Sequence, residues 1–476
     1  MRMNCLMKKV LVVIAFLFYS SNTNAQQPIQ VNGVFPQMTV VSDHLNRSEA
    51  GIGALLPWAN KLWAVGYVAH IHGSGVGLYE ISDDMTSRKH PISHTGTYAN
   101  RYIHNKSNQA IIGPYVIDTS GNVRIIDDLK NYRLCATMQH LTKPDSMVYF
   151  LTMEGFLFET NVYTLKSTKL FDLVKELDIP KSAQVHFKNG YTNDGKVFVA
   201  NNSYYEEEFQ GKRSAGRLAQ WDGNTWTIID KNPYVEIAGK NWSGKDYGAP
   251  MYATGWDRSS VILKFYKKGI WKTYRLPKSD YSYDHAWNTE WMRIRDAITE
   301  RFLMDVHGTF FEMPCLSYNG NIMGIRPICT HLRIVPDFVS WRGMFVMGSD
   351  MTDNSSGQPQ SGLWFGNIDD LWKFGKPKGV GGTWYNTQLK AGEVSDPYLM
   401  NGYDQKTVHI TNHGNKDIEV TLEVDYLSND TWNKYKTIKV PPGGYVYHVF
   451  ENGFSAQWIR ASVDKDAEVT LQFIYN

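Results

Sequence analysis

Cysteine is scarce in this chain. There are four in 476 residues, and Cys5 lies in the N-terminal leader. Cys135, Cys315 and Cys329 are too few for a disulfide-stapled scaffold. A two-residue turn at Asn319-Gly320 would set Cys315 opposite residue 324, so a simple cross-strand disulfide with Cys329 is not expected. Charge of one sign is also missing. The 49 basic and 47 acidic side chains leave a formal net charge of +2, without the clustered basic stripe that nucleic acid demands. Past the leader, no apolar run has the length of a membrane-spanning helix. There is no phosphate-binding P-loop, no dinucleotide glycine motif and no Gly-x-Ser-x-Gly elbow. Helical patterns are few. Residues 170–177 suit one or two turns, and residues 291–300 look less helical because strands flank them.

The leader itself has the pattern of an export signal. Lys8 and Lys9 precede an apolar run over residues 10–19, and small residues follow up to Ala25. The pattern predicts a signal peptide over 1–25, cleaved after Ala25, and a periplasmic or secreted protein.

What is abundant is aromatic and strand-forming. Aromatic residues make up 13% of the chain, including 15 Trp and 28 Tyr, as suits β-sheet. One pattern recurs, a small residue opening a bulky apolar strand. It appears at Gly77-Leu78-Tyr79, Gly113-Pro114-Tyr115, Gly155-Phe156-Leu157, Gly216-Arg217-Leu218, Ser260-Val261-Ile262, Gly308-Thr309-Phe310 and Gly362-Leu363-Trp364. The spacing, roughly 36 to 61 residues, is that of propeller blades. The expected fold is all-β: a seven-bladed β-propeller over 26–374, followed by a small β-sandwich over 383–476. Residues 31–42 would supply a strand closing the last blade. The Gly/Pro-rich run 375–382 reads as a linker. The C-terminal unit is expected to buttress the propeller.

Several clusters carry chemistry-bearing side chains, each with a plainer alternative. Asp43, His44, Asn46, Arg47 and Glu49 fall within seven residues before the first strong strand. A histidine there can move protons near neutral pH, and an arginine can grip a carboxylate. The plainer reading is a polar loop with an Arg47–Glu49 ion pair. A second run holds His94, Asn100, Arg101, His104, Asn108 and Gln109, read as a loop leading into an inner strand. A third, scattered group comprises His186, Tyr204, Tyr205, Arg217, Arg258, Asn288, Glu290, Arg293 and Arg295. Histidine, tyrosine and arginine together suit proton abstraction beside a uronate carboxylate; ion pairs between blades use the same residue types. His307, Cys315, Cys329 and His331 have the donor chemistry of a closed structural zinc site, although their spacing matches no standard finger. Buried thiols with surface histidines are the alternative.

The runs 43–54, 99–104, 201–207, 287–295 and 395–400 together resemble the propeller α-L-rhamnosidases of glycoside hydrolase family 145. The resemblance spans nearly the whole mature chain. It implies a seven-bladed propeller with a C-terminal sandwich. It also implies removal of terminal L-rhamnose α-1,4-linked to D-glucuronic acid on gum arabic or arabinogalactan glycans. His44 matches the family's catalytic histidine, with Asn46, Arg47 and Glu49 as substrate-binding neighbours. No cofactor is implied for catalysis; the partners are rhamnose- and glucuronate-containing plant or algal glycans. The chain is also similar to the propeller ulvan lyases of polysaccharide lyase families 24 and 25. That similarity implies an alternative β-elimination site using His94, Arg101, His104, Tyr204, Tyr205 and Arg217. A third reading is a glycan-binding propeller without catalysis.

Overall fold

Successive side chains of the strand Lys196–Asn201 are buried on opposite sides. Val197 and Val199 pack with Tyr149 and Leu151. Phe198 and Ala200 pack with Tyr234, Ile262 and Tyr266 instead. A strand sends alternate side chains to opposite faces. A run with no polar member is therefore covered on both faces by different neighbours. Met147–Thr152 behaves the same way: Val148 and Phe150 join one core and Tyr149 and Leu151 the next. These strands are middle layers of a stack of sheets.

The computed structural model describes residues 33–34, 50–69, 71–205, 215–239, 250–281, 287–298, 301–314, 317, 320–349 and 362–476. Residues from Gly33 onward form one compact unit. Strand accounts for 56% and helix for 3%, so the protein is all-β. No helix among the described residues is long and apolar enough to cross a membrane.

Antiparallel four-strand groups follow one another along the chain. Their first strands are Ala50–Trp58, Arg101–His104, Leu134–Gln139, Phe187–Asn193, Tyr234–Gly239, Arg293–Ile298 and Phe338–Trp341. Each first strand packs beside the next, and the last returns to the first. The apolar cores close the same circle, since Ile52 and Leu62 of the first sheet share a core with Val339 and Phe365 of the last. This arrangement is a β-propeller. The last sheet is completed from the other end of the chain, because Gly33–Val34 pairs with Trp364 and Phe365. The closing strand expected from residues 31–42 is therefore present.

The recurrent small-residue motif marks the third strand of each sheet, not an inner one. Leu78–Ile81, Arg217–Trp221 and Gly362–Gly366 all lie third in their sheets. At Gly77 and Gly216 the lack of a side chain is required by a close approach of backbone from the connection that follows. A Cβ on Gly77 would sit 2.1 Å from the His94 carbonyl oxygen, and one on Gly216 would sit 2.4 Å from Pro233 Cα. Both obstacles are backbone, so Gly216→Ala is expected to lower stability by about 1–3 kcal/mol through overpacking. A urea denaturation curve checks this; an unchanged midpoint would show that the connection yields freely.

Hydrogen bonds cross every junction between first strands. Leu55 N donates to Asp337 Oδ2 at 2.8 Å, and Arg295 Nε donates to Asp337 Oδ1 at 2.8 Å. Arg295 and Asn189 both donate to Glu236. Thr192 Oγ1 donates to the Gln139 carbonyl at 2.7 Å, and Asn100 Nδ2 to Thr137 Oγ1 at 2.8 Å. Arg101 completes the circle by donating to the Leu55 carbonyl at 2.6 Å.

The C-terminal strands form two groups. Gly379–Leu389, Ala467–Tyr475, Lys406–Asn412 and Tyr445–Val449 make one sheet, in that order. Tyr398–Leu399, Trp458–Val463, Ile418–Asp425 and Asn433–Val440 extend the fifth sheet beyond Ile270–Leu276, where Arg275 meets Tyr398. Val408, Leu422, Leu471 and Phe473 share one core with Trp256, Leu263 and Phe311 of the ring. Arg275 joins the two parts by gripping Asp257 at 2.8 Å and Asp396 at 3.0 Å. Within the expected linker 375–382, a strand already begins at Gly379.

Of two short helices, Leu173–Glu176 was expected, inside residues 170–177. Trp287–Glu290, before residues 291–300, was not, although those residues do turn to strand as expected, at Arg293–Ile298.

Candidate functional site

Part of the hydrogen-bonded circle is charged. Three guanidinium groups, Arg101, Arg293 and Arg295, share two carboxylates, Glu236 and Asp337. One positive charge is left in excess. Burial disfavours the charge on Arg101, and despite Asp337 nearby its value falls to about 10. Arg101 therefore stays cationic at neutral pH. Burial acts the same way on Arg295, but Asp337 and Glu236 outweigh it and hold its value above the ordinary one. Burial also opposes ionisation of Asp337. There the surrounding Arg101, Arg295 and Arg293 win, and its carboxyl sits below the ordinary range.

The circle divides the axial space of the propeller. Toward the end where the first strands finish lies a cavity of about 460 Å³, with Arg101, His104, Thr137, Asn189, Glu236 and Arg295 in its wall. Toward the end where they begin lies a second cluster. His186 directly precedes Phe187–Asn193, and Lys188 is its second residue. Asn202 follows the neighbouring strand Lys196–Asn201, whose end is opposite Phe187. Glu290 and Trp291 lead into Arg293–Ile298.

Glu290 organises this second cluster. Its carboxylate accepts from Lys188 Nζ at 2.5 Å and from Asn202 Nδ2 at 3.2 Å, and His186 Nδ1 lies 3.6 Å away. Lys188 Nζ and Arg293 Cζ sit 5.3 Å and 5.0 Å from the centre of one indole, that of Trp291. Two cations this close to one indole draw on the negative quadrupole of its faces. Tyr67 meets the same indole edge-on at 4.9 Å. A carboxylate, an imidazole, an ammonium and an aromatic wall together can move a proton and hold an acidic sugar. The sequence reading placed His186, Glu290 and Arg293 in one group. Lys188, Asn202, Trp291 and Tyr67 escaped it, because only tertiary folding brings them to Glu290. The short spacing of Glu290, Trp291 and Arg293, and the place of Asn202 in the run 201–207, were the available signals.

The other expected site residues separate. The polar run around Arg101 and His104 is not a loop leading into an inner strand; Arg101–His104 is that strand. His104 is buried at the finishing end, with Nδ1 2.7 Å from Ser107 Oγ and Nε2 2.9 Å from the Pro144 carbonyl. Burial pushes its value below the usual imidazole range. His94 lies outside the first strands in a two-strand ribbon, its Nδ1 3.0 Å from the Tyr98 hydroxyl, and burial lowers its value also. Tyr204 pairs with Gln184 at the beginning end. Arg217 is buried against the Gly216 and Asp178 carbonyls, near Tyr205. The set His94, Arg101, His104, Tyr204, Tyr205 and Arg217 is thus spread over both ends, because a strand carries its first and last residues to opposite faces of the ring.

His44, Asn46, Arg47 and Glu49 lie outside the described residues, as do the leader and Cys315. In the chain they immediately precede Ala50, the first residue of the first inner strand. Of the proposed zinc donors, His331 Nε2 is held by Asp305 at 3.0 Å. Cys329 is a buried thiol pushed up to about 12 by burial and by Asp305. His307 Nδ1 lies 4.0 Å from Asp280. Among the described residues, no three His, Cys, Asp or Glu gather as a metal-binding group.

No family model matches this chain, and no curated protein matches it. Among solved structures, the chain is similar to the WD40 β-propeller domain of Doa1, with 10% identity and a TM-score of 0.39 over 70% of this chain and 98% of that one. It is also similar to a chain of a nidogen/laminin complex, with 9% identity and a TM-score of 0.31 over 51% of this chain and 83% of that one.

Proposed function

We propose that this protein is an exported glycoside hydrolase, an exo-acting α-L-rhamnosidase built on a seven-bladed propeller with a C-terminal β-sandwich. In this reading it removes L-rhamnose from D-glucuronate on arabinogalactan-type glycans. His44 handles the proton transfers, with Asn46, Arg47 and Glu49 beside it. The resemblance of residues 43–54, 99–104, 201–207, 287–295 and 395–400 to family 145 supports the reaction. The observation that supports an acidic sugar is the excess positive charge around the axis, with Lys188 and Arg293 flanking Trp291. Positive charge at such a site steers a carboxylate toward it and favours it over a neutral sugar.

A second reading is β-elimination by a rhamnose-uronate lyase. The observation favouring it is the gathering of His186, Lys188, Asn202 and Glu290 at one end of the ring. In that reading the cations neutralise the uronate carboxylate while an adjacent base takes the proton next to it. The base belongs to the His186–Glu290 cluster, not to His94 or His104.

One assay separates the two. The protein is incubated with a rhamnose-capped, glucuronate-containing arabinogalactan, and with ulvan. Free rhamnose and ultraviolet absorbance are followed together. Free rhamnose without absorbance is the expected result. New absorbance marks an unsaturated uronate and overturns hydrolysis in favour of elimination. Glycan binding without either product overturns both.

A further inference from the structure

The outer face of the C-terminal sheet carries an uncovered group of rings. Tyr445–Val449 is the edge strand of that sheet. Tyr445, Tyr447 and Val449 point outward and are 55%, 63% and 57% exposed. On the adjacent strand, His409 is in register with Tyr447 and Thr411 with Tyr445. The His409 ring lies 6.0 Å from that of Tyr445 and 6.3 Å from that of Tyr447, with interplanar angles of 17° and 28°. The two tyrosine rings are tilted by only 25° to each other. A hydrogen bond of 2.8 Å between His409 Nδ1 and the Tyr445 hydroxyl fixes this orientation. Exposed aromatic groups of this kind mark contact surfaces, because each leaves apolar area in water.

The same face leads into a polar recess. Thr411 is in register with Thr470, and Thr470 Oγ1 lies 3.0 Å from His413 Nε2. His413 belongs to a cavity of about 500 Å³ lined by Gln388, Lys390, Asn415, Asp466 and Glu468. Lys390 is paired with Asp466 at 2.9 Å, so Glu468 leaves the recess with an acidic surplus. Amide groups both donate to and accept from hydroxyls, and an ionised carboxylate accepts from them. Their negative balance disfavours an anionic polymer. The adjacent ring faces suit the C–H side of a sugar ring, which carries partial positive charge toward the aromatic quadrupole.

We propose that this face binds a neutral, hydroxyl-rich segment of a polysaccharide, separately from any catalysis at the propeller axis. The rings hold the apolar side of the sugars, and Gln388, Asn415 and Glu468 hold hydroxyls beyond them. The axis, with its positive excess, and this face, with its negative one, therefore contact differently charged parts of a glycan.

Native affinity electrophoresis of the full chain tests this, with neutral galactan, arabinan and xylan as probes and polygalacturonate as the acidic contrast. Retardation by at least one neutral probe is expected, and any retardation by polygalacturonate, which the positive axis would cause, should be the same in the parent and in the variants below. In the Tyr445→Ala/Tyr447→Ala double variant, binding should weaken by on the order of tenfold or more in Kd, about 1.4 kcal/mol. Its thermal midpoint should stay that of the parent. Glu468→Gln, which leaves the rings alone, should weaken binding as well. The proposal is overturned if no neutral probe retards the parent, or if the double variant is retarded equally. It is also overturned if sedimentation shows a dimer that the double variant dissolves, since the face would then hold a second copy. Binding is read without turnover, so failure here and failure of the proposed reaction are distinguishable.

Discussion

Asp337→Ala is expected to destabilise the protein by about 3–5 kcal/mol, the cost of leaving buried charges without their partner. Asp337 is fully buried and accepts the Leu55 N–H and Arg295 Nε, both at 2.8 Å, with Arg101 Nε at 3.4 Å. Its loss opens two junctions of the circle, those of Phe338–Trp341 with Arg293–Ile298 and with Ala50–Trp58. It also strands Arg101 and weakens the hold on Arg295. Asp337→Asn should be milder, because an amide oxygen still accepts from Leu55. Chemical denaturation followed by tryptophan fluorescence measures both. A cost below about 1 kcal/mol for Asp337→Ala would refute a structural role. The pH dependence has a definite sign. Burial raises the Asp337 value, but the arginines outweigh it, and the folded value lies below the ordinary 3.8. A depressed carboxylate contributes fully above its unfolded value, and that contribution vanishes as pH falls through the folded one. The parent should therefore lose stability below 3.8 more steeply than the alanine variant does.

His44→Gln should abolish rhamnose release without unfolding the protein, and Glu290→Gln provides its counterpart. Removing a group that moves a proton in the transition state costs on the order of 10²–10⁴ in rate. For the hydrolase, that loss should appear in kcat for His44→Gln. Glu290→Gln should act mainly through KM, because it leaves Lys188 and Asn202 near the substrate without their carboxylate partner. For the lyase the pattern reverses, and Glu290→Gln eliminates the unsaturated product while His44→Gln retains it. Circular dichroism and thermal midpoints of both variants exclude unfolding as the cause. Full activity in His44→Gln would remove the histidine from the proposed reaction.

Much of the fold was readable from residue order. The all-β character followed from short apolar runs separated by turn residues. The recurrence of small residues at Gly77, Gly113, Gly155, Gly216, Ser260, Gly308 and Gly362 gave the sheet spacing. It did not give their place in the sheet. A close approach such as Gly77 against His94 involves the connection to the next sheet, which a local pattern does not contain. The polar run with Arg101 and His104 was misread for a related reason. Arg101–His104 lines a charged cavity, so it lacks the apolar alternation that identifies a strand.

The candidate site was legible only in part. His186, Glu290 and Arg293 stood out by residue type, yet so did His94, His104 and Arg217, which folding places elsewhere. Sequence by itself determined the strand content, the repeat spacing and the inventory of acids, bases and cations. Those properties follow from local sterics and from the alternation of side chains along a strand. The tertiary structure decided which charges meet. Lys188 reaches Glu290 across 102 positions, and Leu55 N reaches Asp337 across 282. Such pairings depend on how the sheets close around the axis, and no local feature of either partner encodes that closure.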